Sequence, residues 1–228
     1  MLVLISPKNL KEAIEAKNGG ADIIDVKNPE EGSLGASFPW IIKEISESVK
    51  PTLISAAIGD MIYKPGTAAL AAYTASIWAD YIKVGLIVKT TKQAMELSKA
   101  FVKSVKENEK NAVIASYADY YRSETLSPFE VVEVAATSEA DVVMVDTLGK
   151  DLTLFDYMDV QSVAEFVDSA HEHGLMCAIA GSIGIKDIPL IKSVKPDIIG
   201  VRGAVCEGGR NGKLKRELVE EFVKAVKS

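Results

Sequence analysis

Short apolar runs rich in β-branched residues recur along the chain, each followed by a longer stretch whose apolar positions return every three to four residues. The runs read as strands at 3–6 (VLIS), 22–27 (DIIDVK), 52–59 (TLISAAIG), 81–86 (YIKVGL), 112–118 (AVIASYA), 142–147 (VVMVDT), 176–182 (MCAIAGS) and 198–203 (IIGVRG). Between them lie helix-like spacings such as Leu10, Ala13 and Ile14, or Val160, Val163, Ala164 and Val167. Ser6 with Pro7 is expected to open the first helix and Asn18-Gly19-Gly20 to close it. Similar punctuation stands at Lys64-Pro65-Gly66, Ser127-Pro128 and His173-Gly174. Strand starts are 19 to 34 residues apart and no linker interrupts the rhythm. Eight βα units at this length specify a closed (β/α)8 TIM barrel, a single domain over residues 1–228 with a last helix at Leu214–Val226. An open doubly wound sheet is the alternative, but it needs fewer strands or a break in the rhythm.

Composition narrows the partners. With 32 Asp and Glu against 26 Lys and Arg, the net charge of −6 argues against the cationic face that nucleic acid requires. The leading MLVLI is too short for a signal peptide, and no run approaches the roughly 20 apolar residues of a membrane span. Cys177 and Cys206 form neither a CxxC pair nor a disulfide framework, so a reducing cytoplasm is the expected compartment. Small barrels commonly self-associate, which leaves room for a homo-oligomer.

A barrel places its site at the C-terminal ends of its strands. Asp25 and Lys27 close the second strand, and their i, i+2 spacing turns both toward the mouth. Lys83 sits inside the fourth strand between Ile82 and Val84, where a lysine is costly to bury without a task or a partner. A plain Asp–Lys ion pair filling the barrel would explain Asp25 and Lys83 without chemistry. Two lysines and an aspartate converging on one mouth favour the chemical reading, because desolvation and like charge both lower an amine pKa, and a neutral amine attacks carbonyls. From the residues alone, Lys27 and Lys83 are equal candidates for that nucleophile.

Asp146 ends the sixth strand, a frequent place for a proton shuttle, and Lys150 follows in its loop, to bind phosphate or simply to be solvated. Tyr117, Asp119 and Arg122 lie near the rim in SYADYYR. Glycines in Ala180-Gly181-Ser182-Ile183-Gly184 and Val201-Arg202-Gly203-Ala204 follow the seventh and eighth strands, where backbone N–H groups can approach a phosphate. Other features read as structural. Lys99, Lys103, Lys106 and Lys110 form a solvated stripe, and His171 and His173 lack a third ligand for a metal. Trp40 and Trp78 are expected to pack helices on the barrel, and Cys206 has no neighbouring base.

The segments ADIIDVKNPEEGSLGA, SAAIGD, DYIKVGL, VMVDTLGKD, AGSIG and GVRGAVC resemble the archaeal (5-formylfuran-3-yl)methyl phosphate synthase family, also called 4-(hydroxymethyl)-2-furancarboxaldehyde-phosphate synthases, of methanofuran biosynthesis. The resemblance runs from the first strand to the last helix. It implies a class I aldolase-like barrel that condenses two glyceraldehyde 3-phosphate molecules into a furan aldehyde phosphate, losing phosphate and water. It implies Lys27 as the Schiff-base lysine and Lys83 as the proton acceptor, with Asp25, Asp146 and Lys150 supporting them. Gly181, Ser182, Gly203 and Ala204 would hold the retained phosphate, with no metal or organic cofactor. A simple class I aldolase or a triose-phosphate isomerase-like enzyme is the nearest alternative, and a phosphate-binding regulatory barrel a more distant one.

Overall fold

The computed structural model describes every residue from Met1 to Ser228. Eight parallel strands are hydrogen-bonded in sequence order: β1 (Leu2–Ile5), β2 (Ile23–Val26), β3 (Leu53–Met61), β4 (Tyr81–Leu86), β5 (Asn111–Tyr117), β6 (Val142–Asp146), β7 (Met176–Ile179) and β8 (Ile198–Val201). Pairing of Leu2 with Ile198 and of Ile5 with Val201 joins β8 back to β1 and closes the barrel. Helices α1 (Leu10–Asn18), α2 (Pro39–Val49), α3 (Pro65–Ser76) and α4 (Thr91–Lys106) follow the first four strands. After β5 come α5 (Tyr120–Ser123) and α6 (Pro128–Thr137), and after β6 come α7 (Leu154–Tyr157) and α8 (Val160–Glu172). α9 (Ile188–Val194) lies between β7 and β8, and a small hairpin, β9 (Cys206–Glu207) with β10 (Lys213–Leu214), precedes α10 (Arg216–Lys227).

Strand alternation divides the apolar residues into two zones. Ile24, Val26, Ile82, Val84, Val143 and Val145 face outward and pack under the helices. Leu4, Ile23, Ala57, Val113, Val142, Met144 and Ile198 face inward and fill the barrel. Each fully buried Val, Ile or Leu contributes roughly 1.5–3 kcal/mol relative to exposure. The inward positions one pleat nearer the mouth are polar on β2, β4 and β6, which is where the site begins.

Several predicted boundaries shift for identifiable reasons. Asn9, not Ser6 with Pro7, opens α1, its side chain accepting from the Glu12 amide at 3.0 Å. The Ser6 hydroxyl is drawn instead to Asp25. Strand β7 stops at Ile179, because Gly181 (φ 109°) and Ser182 (φ 54°) leave the extended region. The last helix starts at Arg216, since Leu214 is paired in the hairpin. Ser127 and Glu130 form a capping box around Pro128, as that motif requires. Trp78 packs on the core as expected, but Trp40 is 64% exposed and stacks on Phe38 with ring centroids 4.7 Å apart. Of the lysine stripe, Lys106 and Lys110 are engaged in ion pairs with Asp141 and Asp80. No helix is long and apolar enough to cross a membrane.

Candidate active site

The strand periodicity that stacks apolar side chains low in the barrel puts charged ones at its C-terminal end. Asp25, Lys83 and Asp146 are inward members of β2, β4 and β6, and all three are buried. Lys27 follows directly on β2 and Lys150 lies on the loop after β6. These five residues line one cavity of about 310 Å³ together with Gly181, Ser182, Gly203 and Ala204. These nine residues therefore reach the same space, whereas Tyr117, Asp119 and Arg122 do not line it.

Lys83 Nζ lies 2.7 Å from Asp25 Oδ1, and neither atom has another polar partner. The second Asp25 oxygen accepts from Ser6 Oγ at 2.8 Å. Burial by itself would raise the Asp25 carboxyl; the charges of Lys83 and Lys27 and the two side-chain contacts outweigh it and hold it below the ordinary carboxylate value. Two such ions survive away from water only as a pair. Removing one strands the other, at a cost of about 3–5 kcal/mol.

Around Asp146 a second pair forms nearer the mouth. Its Oδ1 accepts from Lys150 Nζ at 2.7 Å and from the Thr147 amide at 2.7 Å, while Ser33 Oγ donates to the other oxygen at 3.4 Å. Burial opposes ionisation here too, but Lys150 and Lys27 prevail and bring the carboxyl down to about 2. Lys27 is the half-buried amine between these pairs. Desolvation lowers it most, Asp25 and Asp146 pull the other way, and Lys83 and Lys150 lower it further, to about 8. A lysine in that range carries a substantial fraction of free amine near neutrality, which is what carbonyl addition needs. Lys83, by contrast, is tied to Asp25 at 2.7 Å, and this geometry distinguishes the two lysines that the sequence left equal.

The segment after Lys27 explains itself as a cover. Leu34 is fully buried in the inner apolar zone and its amide donates to Asp60 at 3.2 Å, so the loop from Asn28 to Ser37 folds back over the barrel mouth. Ser33 reaches Asp146 and the Thr147 carbonyl from the same loop. Tyr117 turns inward to hydrogen-bond Asp60. Gly85 makes that approach feasible, because a Cβ there would lie 1.8 Å from the Tyr117 hydroxyl oxygen. Asp119 and Arg122 do not line the cavity. Asp119 accepts from the Leu148 and Gly149 amides at 2.7 and 2.8 Å, shaping the loop that carries Lys150, and Arg122 pairs at the surface with Asp151 at 2.9 Å.

On the opposite wall, the amides of Gly181, Ser182 and Ile183 donate to no group of the chain. Ser182 holds φ 54° without being glycine, a local strain of the sort that collects at ligand-binding loops. Gly181 cannot carry a side chain, since a Cβ would fall 2.9 Å from the Thr147 methyl. His171 pairs with Asp197 at 2.8 Å, and His173 contacts the Ser169 carbonyl and Glu133. No group of three or more His, Cys, Asp or Glu side chains is arranged to hold a metal ion.

A family model described as 4-HFC-P synthase matches residues 3–223. The chain belongs to the 4-HFC-P synthase family. Proteins named (5-formylfuran-3-yl)methyl phosphate synthase from Archaeoglobus fulgidus and Methanocaldococcus jannaschii are 53% and 52% identical to it. The first match covers 99% of both chains and the second 100% of both. The Methanosarcina acetivorans protein of the same name is 52% identical over 98% of each chain. Members of this family are enzymes. Among solved structures, 3-hexulose-6-phosphate synthase from Salmonella typhimurium has a TM-score of 0.67 at 18% identity, covering 99% of this chain and 100% of that one. Phosphoribosyl anthranilate isomerase from Thermococcus kodakaraensis has a TM-score of 0.69 at 18% identity, covering 100% and 99%. These two establish the shared barrel fold alone. Within this 4-HFC-P synthase family chain, sequence reasoning missed Arg202 and Arg210, which also line the cavity. The signal was GVRG and GGRNGK, arginines on either side of the glycine-rich turn after the last strand.

Proposed function

We propose that this chain is a (5-formylfuran-3-yl)methyl phosphate synthase whose single barrel, residues 1–228, condenses two glyceraldehyde 3-phosphate molecules into a phosphorylated furan aldehyde. The observation that carries the reading is Lys27, an amine held at about 8 between the buried Lys83–Asp25 pair and the partly exposed Lys150–Asp146 pair, in a cavity whose other wall offers free backbone amides. Lys27 Nζ adds to the aldehyde carbon of one triose and expels water, leaving an iminium. That cation acidifies the neighbouring carbon. Lys83 is the base that takes the C2 proton. The released electron pair passes through the C2–C3 region and expels phosphate from C3, with the pair going to the leaving oxygen. Bond formation to the second triose, ring closure and dehydration follow, water hydrolyses the Lys27 imine to restore the aldehyde and free the amine, and the product keeps the second triose's phosphate. Asp25 holds Lys83 in place, and Asp146 with Lys150 exchanges protons with the hydroxyls that leave. The amides near Gly181, Ser182, Gly203 and Ala204 bind the retained phosphate. This places the reaction in methanofuran biosynthesis.

Incubation with glyceraldehyde 3-phosphate alone tests the reading. Free phosphate and an ultraviolet furan band are expected, and borohydride should add mass to the peptide bearing Lys27. Lys27→Arg preserves the charge but not the chemistry, so label and furan should both vanish. An aldolase or isomerase retains both phosphates; product without phosphate release, or a label on Lys83 alone, overturns the assignment.

A further inference from the structure

The cations that line the cavity differ in whether a carboxylate already answers them. Lys83 is paired with Asp25, Lys150 with Asp146, and Arg202 with Glu12 at 3.0 Å. Arg210 has no such partner, and its side chain forms neither a salt bridge nor a hydrogen bond within the chain, although it is half-buried. A guanidinium pulled partly out of water without a counter-ion is costly unless a ligand supplies the negative charge.

Its position is held by the chain around it. Arg202 Nε donates to the Arg210 carbonyl at 2.9 Å, and Arg202 Nη1 donates to the Ser6 carbonyl at 2.6 Å and to Glu12. The backbone of Arg210 lies against Gly203, where a Cβ would stand 3.5 Å from the Arg210 nitrogen. The β9–β10 turn therefore delivers a free guanidinium beside the glycine loop that follows β8. Neutral amides satisfy the oxygens of a phosphate but not its two charges. A planar guanidinium supplies two parallel donors and offsets one of those charges.

We propose that Arg210 is the charged ligand of the phosphate site, binding a phosphate dianion against the Gly181–Ile183 and Gly203 loops and selecting phosphorylated over unphosphorylated trioses. The inference rests on the synthase reading for the identity of the triose, but not for the anion. The first measurement is calorimetric titration with inorganic phosphate, which requires no turnover. Arg210→Ala should weaken phosphate binding at least tenfold relative to the wild type, and Arg210→Lys should recover only part of it, because an ammonium lacks the paired donors. Arg210→Gln decides the matter if circular dichroism shows that the alanine variant is unfolded. The second measurement is the ratio of borohydride-trapping rates by glyceraldehyde 3-phosphate and by glyceraldehyde, which should fall at least tenfold in Arg210→Ala. A wild type that binds no phosphate, or a variant that binds it as tightly as the wild type, overturns the proposal. Phosphate binding that depends on Arg210 in a protein that makes no furan would leave this site standing and remove the synthase reading instead.

Discussion

Lys27 is set by four neighbours of known sign, and that makes its protonation open to independent manipulation. Below about 8 the amine is protonated and inert, so the rate of imine trapping should rise with pH and level off above that value. Asp146 supports the charged form of Lys27, whereas Lys150 opposes it. Asp146→Asn should therefore move the rising limb to lower pH, and Lys150→Met should move it to higher pH, each by about one unit, the scale expected of a nearby charge. The measurement is the pH dependence of borohydride trapping at fixed aldehyde concentration. Shifts of the same sign in both variants would mean that the charges around Lys27 do not set its reactivity.

At the scale of elements, β4 is the strand that the sequence described to the residue, and it shows why some of the site could be read directly. YIKVGL alternates Ile82 and Val84 outward with Lys83 and Gly85 inward, so period two by itself sent the lysine into the barrel. The same rule turned Asp25 toward the mouth, and the placement of barrel sites at strand ends located Asp146. It could not reveal what loops do. Ser6 resembles a helix cap, but a buried carboxylate 19 residues away competes for its hydroxyl. Leu34, an apolar residue among glycines and acids, gave no periodic signal, yet it plugs the barrel from above. Arg210 comes to the mouth through a hairpin of two-residue strands, too short for any pattern. Gly85 carries a prediction at this scale. A methyl group there collides with the Tyr117 hydroxyl and comes within 2.8 Å of Asp60. Gly85→Ala should cost about 1–3 kcal/mol, seen as a lower urea midpoint. Tyr117→Phe removes the colliding oxygen, so the double variant should lose less than the sum of the singles. Strict additivity would show that the contact between β4 and β5 is not the source of the loss.

The whole molecule combines an acidic total charge with a mouth whose five cations outnumber the three carboxylates paired with them, and this makes its stability depend on pH at both ends. Glu12, Asp25 and Asp146 are all held below their ordinary values in the fold. In the unfolded chain they regain values near 4. Between those limits the unfolded chain binds more protons, so stability is full above about pH 4 and drains away as pH falls toward 2. Asp146 alone, at about 2, accounts for about 2 kcal/mol of that loss. On the alkaline side, Lys27 binds its proton more weakly folded than unfolded, so its contribution to stability increases as pH rises from about 8 toward 10.5. Cys177 and Tyr117 act in the opposite sense, because burial raises both and each ionises more readily once unfolded. The total curve thus mixes signs, whereas the difference between wild type and Lys27→Met cancels the cysteine and tyrosine contributions. Urea unfolding at pH 7, 8.5 and 9.5 should show wild type gaining steadily on the variant, and a difference that stays flat would mean that Lys27 keeps an ordinary lysine's proton.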